Sequence, residues 1–278
     1  YGVLSSHAGK RKIPLCELCA LCGNVFSDSP MAEIASTSPP RRVGRIRADP
    51  RLNLHLLIPS ASRWGMSTET HRFKGYIFDL DGTLIDSFPA ITESVNHVRT
   101  RHGLEPLSIA KVKTKVGHGL EYLLEKTVPD LDAISDQETY KTHHEKVILE
   151  KTVLLPFADE VLRQLHGEDK KIALASNKMR DFSNRILEHF GLLPLFDLVL
   201  GPESVPCRKP APDMLEIALA RWKLAPNDVL YVGDLNVDVE TARAAGLPVC
   251  ILLGEYPSRE TLEAAAPDYL IDSLRMLP

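Results

Sequence analysis

The sequence predicts an α/β fold, a Rossmann-like doubly wound parallel sheet core with a helical cap domain inserted after the first strand. Three observations carry this. Residues 76 to 87 read Tyr-Ile-Phe-Asp-Leu-Asp-Gly-Thr-Leu-Ile-Asp-Ser, an apolar run closed by carboxylates and a glycine turn, which marks a buried strand. From Pro156 onward short apolar runs alternate with helical stripes, a pattern that gives a mostly parallel sheet covered on both faces. Between the two, residues 90 to 152 carry helical periodicity and no strand signal, and roughly 60 residues is too long for a simple crossover between parallel strands.

Taken in order, the first strand runs from Gly75 to Asp79. In the insert, Leu120, Leu123 and Leu124 stand at i, i+3 and i+4. Ser135 and Glu138 have the spacing of a capping box ahead of a long polar helix, whose His143 and His144 are expected on its solvated face. Val161, Leu162 and Leu165 mark the next helix, Lys171 to Ser176 a strand, and Phe182, Ile186, Leu187 and Phe190 a helical stripe that Gly191 closes. Asp197 to Leu200 reads as a short strand, and Leu215, Leu219 and Trp222 as a helix face. The pattern ends with a strand at Val229 to Gly233, a helix at Val239 to Ala245 stopped by Gly246, and a strand at Pro248 to Leu253. The expected division is a core of residues 66–88 and 153–278 with a helical cap at 89–152.

The charge is uneven. Residues 1–65 hold nine Lys/Arg against four Asp/Glu, a balance of +5, so the whole-chain charge of −4 leaves −9 for the rest. No persistent period runs through this leader, which is expected to be disordered or not part of the native protein. Its Arg and Ser content suits a transit peptide, but its prolines interrupt any long amphipathic helix, and initiation at Met66 is the favoured reading. Cys16, Cys19 and Cys22 form Cys-x-x-Cys-x-x-Cys there, which offers three local ligands and no partnering pair at zinc-finger spacing. A reducing, cytoplasmic setting is expected. The pI near 6.2 gives no global case for nucleic-acid binding, and no apolar run approaches the ~18 residues of a membrane span.

In such a sheet the ligand crevice lies at the carboxyl ends of the strands. Asp79 and Asp81 leave one strand end. Ser176-Asn177-Lys178 leave a second, and Gly233-Asp234 a third with Asp238 four residues on. Lys209-Pro210 sits in a loop between them. Acids, a hydroxyl and a lysine brought to one crevice form the composition that holds Mg²⁺ and a phosphoryl group together.

Asp79-Leu-Asp-Gly-Thr83, Ser176-Asn177, Lys209-Pro210 and Gly233-Asp234-x-x-x-Asp238, in this order, resemble the four motifs of the haloacid dehalogenase superfamily. Within it, Val116-Gly117-His118-Gly119-Leu120 and Lys209-Pro210-Ala211-Pro212-Asp213 are similar to phrases of phosphoglycolate-phosphatase-like enzymes. The resemblance implies hydrolysis of a small phosphate monoester, foremost 2-phosphoglycolate, through an aspartyl-phosphate. Asp79 would be the nucleophile and Asp81 the acid and base. Mg²⁺ would be held by Asp79, the Asp81 backbone carbonyl and Asp234, with Asp238 behind them. Ser176, Asn177 and Lys209 would face the phosphoryl group, with Thr83 either beside them or structural. Leu235 departs from the pattern, since many relatives carry Ser there.

Several alternatives stay open. Lys178 and Arg208 either steer phosphate or sit on the solvated surface, and His118 either meets substrate or fills a loop. A dinucleotide reading of Gly117 and Gly119 fails, because position 122 is Tyr122 and no strand precedes them. Sugar-phosphate phosphatase, phosphoglucomutase-like and nucleotidase activities share the same core residues. Phosphonate cleavage would call on a cap lysine among Lys111, Lys113 and Lys115. A catalytically silent module is disfavoured by retention of every acid. The expected partner is a small phosphorylated metabolite, with no nucleic acid and no membrane, and oligomeric state is written in none of these features.

Overall fold

The computed structural model describes residues 73–278, so the leader, its Cys16, Cys19 and Cys22, and Met66 lie outside the described residues. The chain begins with β1 (Gly75–Phe78) and β2 (Ile85–Asp86), followed by four helices, α1 (Phe88–Arg101), α2 (Ile109–Lys113), α3 (Leu120–Thr127) and α4 (Ala133–Val147). Then come β3 (Val153–Leu154), α5 (Ala158–Gly167), β4 (Lys171–Ala175), α6 (Arg180–His189) and β5 (Leu198–Leu200). The last elements are α7 (Asp213–Trp222), β6 (Val229–Gly233), α8 (Asn236–Ala245), β7 (Val249–Leu252), α9 (Arg259–Ala264) and β8 (Tyr269–Ile271).

Six strands form one parallel sheet in the order β5-β4-β1-β6-β7-β8. Its four inner strands, β4, β1, β6 and β7, are buried on both faces, as their unbroken apolar runs require. Tyr76, Phe78, Leu174 and Val232 face α5 and α6, while Ile77, Ala173, Val229 and Tyr231 face α7 and α8. Register fixes the site: Phe78 is level with Leu174 on one side and Val232 on the other. The residues after these three strands therefore emerge side by side.

The four helices between Phe88 and Val147 build an apolar cluster of their own, including Ile91, Val95, Val98, Leu124 and Tyr140. The chain passes to and from them through β2 and β3, which pair antiparallel over two residues each. No strand was expected there, because two-residue strands leave no period to detect. β8 and α9 were likewise not anticipated. β1 stops at Phe78 rather than Asp79, so the first acid belongs to the loop.

Two expectations are corrected on α4. Its N-cap is Asp132, whose side chain accepts from the amides of Ile134 and Ser135, so Ser135 lies inside the first turn. His144 is buried at 1% exposure rather than solvated, and its Nδ1 lies 3.0 Å from Ser94 Oγ on α1. A polar helix can hide one histidine when the facing helix supplies a hydroxyl partner.

Candidate active site

The loop after β1 turns at once. Gly82 has φ +88°, and a Cβ there would meet Asp234 Oδ2 at 2.1 Å, so only glycine lets the two strand-end loops close on each other. Asp79 and Asp81 consequently leave the same strand end into different surroundings.

Asp79 is buried. Lys209 Nζ stands 3.0 Å from its Oδ1, yet the lysine's hydrogen bonds go to Asp238 Oδ1 (2.8 Å) and the Tyr231 hydroxyl (3.0 Å). Asp79 Oδ1 is left near a positive charge without a hydrogen-bond donor of its own. Burial pushes the Asp79 carboxyl up to about 6, against the downward pull of Lys209 and the Ser176 hydroxyl. Burial also works against the charge of Lys209, but Asp238 and Asp79 outweigh it and hold its pKa well above the ordinary range.

Asp81 is turned away from this cluster. Its carboxylate accepts Lys178 Nζ at 3.1 and 3.2 Å and the hydroxyl of Ser87. Ser87 stands at the N-cap position of α1 but makes no cap bond; Asp86 takes over that task by accepting the Phe88 amide. Lys178 is thus neither solvated nor idle.

Asp234 and Asp238 also divide their tasks. Asp234 lies within 4.8 Å of both Asp79 and Asp238 through carboxylate oxygens, a group that could hold a metal ion. Burial, then the charges of Asp238 and Asp79, raise the Asp234 carboxyl well above the carboxylate range. Asp238 sits in the same cluster, but Lys209, Tyr231 and the amides of Asp234 and Leu235 all donate to it. These partners let Asp238 brace the loop and Lys209 from behind Asp79 and Asp234.

The remaining candidates fall into place around them. The Thr83 hydroxyl donates to Asp234 Oδ1 at 3.1 Å. Ser176 reaches the Asp79 carboxyl. The Asn177 side chain donates to the carbonyls of Gly117 (2.9 Å) and Lys209 (3.0 Å) and accepts the Lys209 amide, joining the insert to the core. Arg208 pairs with Glu121 on α3. His118 packs against Tyr122, and burial, then Arg208, lower its pKa. Lys113 pairs with Glu255, and none of Lys111, Lys113 and Lys115 lines the cavity between the strand ends and the insert.

Between the strand ends and the insert lies a cavity of about 60 Å³, with Asp79, Asp81, Ser176 and Lys178 on the core side. Ile91, Val116, Leu120 and Leu123 supply apolar walls, and Tyr140 and His144 reach it from α4. Burial, then the nearby Lys178, lower His144 to about 2, so it is neutral. Burial and then the Asp81 charge push the Tyr140 phenol up.

The residues fit a hard divalent cation. Asp79 keeps a buried oxygen without a donor, and Asp234 is crowded by like charge, a stress that all-oxygen coordination of such an ion relieves. Sequence reasoning did not single out Ser87, Tyr140 or Tyr231. Tyr231 alone left a signal, because a tyrosine in the middle of a doubly buried strand must find a partner for its hydroxyl.

The sequence matches haloacid dehalogenase-like hydrolases over residues 76–252. A phosphoglycolate phosphatase of Cereibacter sphaeroides is 38% identical over 189 residues, covering 66% of this chain and 86% of that one. One from Salmonella typhimurium is 28% identical over 228 residues, covering 73% and 90%. Among solved structures, a haloacid dehalogenase-like hydrolase from Bacteroides fragilis superposes with a TM-score of 0.69 at 29% identity, covering 73% of this chain and 98% of that one.

Proposed function

The chain belongs to the haloacid dehalogenase-like hydrolases, and from that premise we propose that it is a Mg²⁺-dependent phosphatase of 2-phosphoglycolate. Its class is that of a phosphoric monoester hydrolase. The observation that carries the mechanism is the unlike treatment of two acids from one strand end: Asp79 faces the acidic cluster with an open oxygen, while Asp81 is held off it by Lys178 and Ser87.

Asp79 attacks phosphorus, and the bond from phosphorus to the leaving oxygen breaks as Asp81 gives that oxygen its proton. Asp81, now a carboxylate, then takes a proton from the water that attacks the phosphorylated Asp79, and the acyl phosphate bond breaks to free phosphate. Both steps need the Asp81 carboxyl at the cavity and off the metal, which its attachment to a lysine and a hydroxyl there supports. Asp79, the Asp81 carbonyl and Asp234 would hold Mg²⁺, which supplies charge neutralisation of the phosphoryl oxygens. Ser176 and the Asn177 amide orient those oxygens. Lys209 balances the buried acids as a point charge. Thr83 and Asp238 act one step back, by fixing Asp234 and Lys209.

A cavity of about 60 Å³ favours a substrate with few atoms beyond the phosphate. Among the described residues no helix is long and apolar enough to cross a membrane. The test is kcat/KM in Mg²⁺ for 2-phosphoglycolate, a hexose phosphate, a nucleoside monophosphate and a phosphopeptide. 2-Phosphoglycolate should lead. A lead for the hexose phosphate or the nucleotide would overturn the substrate but not the chemistry, and a lead for the phosphopeptide would overturn the reading of a small-molecule cavity.

A further inference from the structure

The phosphate's surroundings do not explain how a second charge on the substrate would be read. Ile91, Val116, Leu120 and Leu123 cannot stabilise one, since an ion against apolar walls is costly unless paired. His144 is held neutral by its burial. Arg208 is engaged with Glu121 and does not line the cavity. Among the described residues, Lys178 is the one cation that lines it.

The placement of Lys178 is specific. Its side chain is 6% exposed, its two recorded bonds both go to Asp81, and an ammonium carries three donors. Its backbone amide donates to Ser176 Oγ at 3.2 Å, so the ammonium rises from the same turn as a hydroxyl that faces the phosphoryl group. Ser176 and Lys178 both line the cavity, so a short substrate with its phosphate at Ser176 is within reach of this lysine.

We propose that Lys178 is the specificity-determining residue that binds the second anionic group, a carboxylate, of the small phosphate ester, bridging it to Asp81. This rests on the phosphatase reading above and deepens it. A lysine that only holds Asp81 would serve every phosphate ester equally. One that bridges serves the carboxylated ester more, and it couples seating of that ester to the position of the acid.

The experiment compares 2-phosphoglycolate with 2-hydroxyethyl phosphate, which replaces the carboxylate by a neutral alcohol. In the wild-type protein the ratio of kcat/KM should favour the carboxylated ester by on the order of ten- to a hundredfold, the range of a hydrogen bond to a charged group. Lys178→Met should bring the ratio close to one, and Arg208→Met should leave it unchanged. Loss of rate on both esters with the ratio intact would make Lys178 a holder of Asp81 only and overturn the proposal, as would collapse of the ratio in Arg208→Met alone. Should Lys178→Met turn over neither ester, the same ratio is read as Kd by calorimetry in Asp79→Asn with and without Lys178→Met. An unchanged Kd ratio there overturns the proposal. A wild-type protein without preference between the esters overturns this proposal together with the 2-phosphoglycolate reading, whereas a preference that survives Lys178→Met overturns this proposal alone.

Discussion

Asp79 and Asp81 are two residues apart and have opposite surroundings, and that difference is testable on each. Asp79→Asn keeps the shape and loses the nucleophile, so steady-state turnover should vanish, with checks against deamidation back to Asp. The same variant has a stability signature. The folded-state pKa of Asp79 lies near 6, above its ordinary 3.8, so its ionisation costs the fold nothing at low pH, a growing amount between pH 3.8 and about 6, and a constant amount above that. In EDTA at pH 8, Asp79→Asn should therefore be more stable than wild type by on the order of 2 kcal/mol, and at pH 4 nearly equal, as read from thermal midpoints. Thr83→Val strips Asp234 Oδ1 of its donor and should weaken Mg²⁺ binding about 10- to 100-fold by titration calorimetry. Asp79, Asp81 and Asp234 were legible because each follows an apolar run that must stop at the crevice. The partners of those acids were not: nothing around Ser87 in the sequence says that it forgoes capping α1 to hold Asp81, and Lys178 read equally well as a surface residue.

At the scale of elements, α4 shows what periodicity conceals. Its sequence is polar almost throughout, yet it sends Tyr140 and His144 into the cavity wall and against Phe182. His144 has its folded-state pKa depressed to about 2 from 6.5, so the unfolded chain binds the extra proton and stability falls as pH drops below 6.5. The loss should approach about 1.4 kcal/mol per pH unit. His144→Gln should flatten that slope between pH 7 and pH 5, measured as the difference in unfolding free energy from wild type. Asp132→Ala should cost about 1 kcal/mol by removing the N-cap of the same helix, whereas Ser135→Ala should cost less, because Ser135 is an inner residue of the first turn. The long strands β1, β4 and β6 were found nearly to the residue from unbroken apolar runs. β2, β3 and β8 were too short to carry a period, and they owe their pairing to neighbours far away in sequence.

At the scale of the whole molecule, insert and core meet around Gly117. Its carbonyl accepts Asn177, and a Cβ on it would stand 2.6 Å from Leu235 Cδ1, at a φ of +112° that suits glycine. Leu235, the departure from the family pattern, is therefore the surface on which the Gly117 loop rests. Gly117→Ala should lower kcat/KM for every small ester by a common factor of about ten or more, through strain of about 1–3 kcal/mol, with little change in the ranking of substrates. The alternation that gave the core could not show this seam, since it depends on a loop meeting a loop. The β2–β3 pair has one further consequence. It brings the two chain crossings into hydrogen-bonded register, so residues 87 to 152 leave and return through a single gate. A segment with adjacent ends can be exchanged for a foreign one without stretching the sheet, and chimaeras cut at that gate should inherit their taste for leaving groups from one parent and their phosphoryl chemistry from the other.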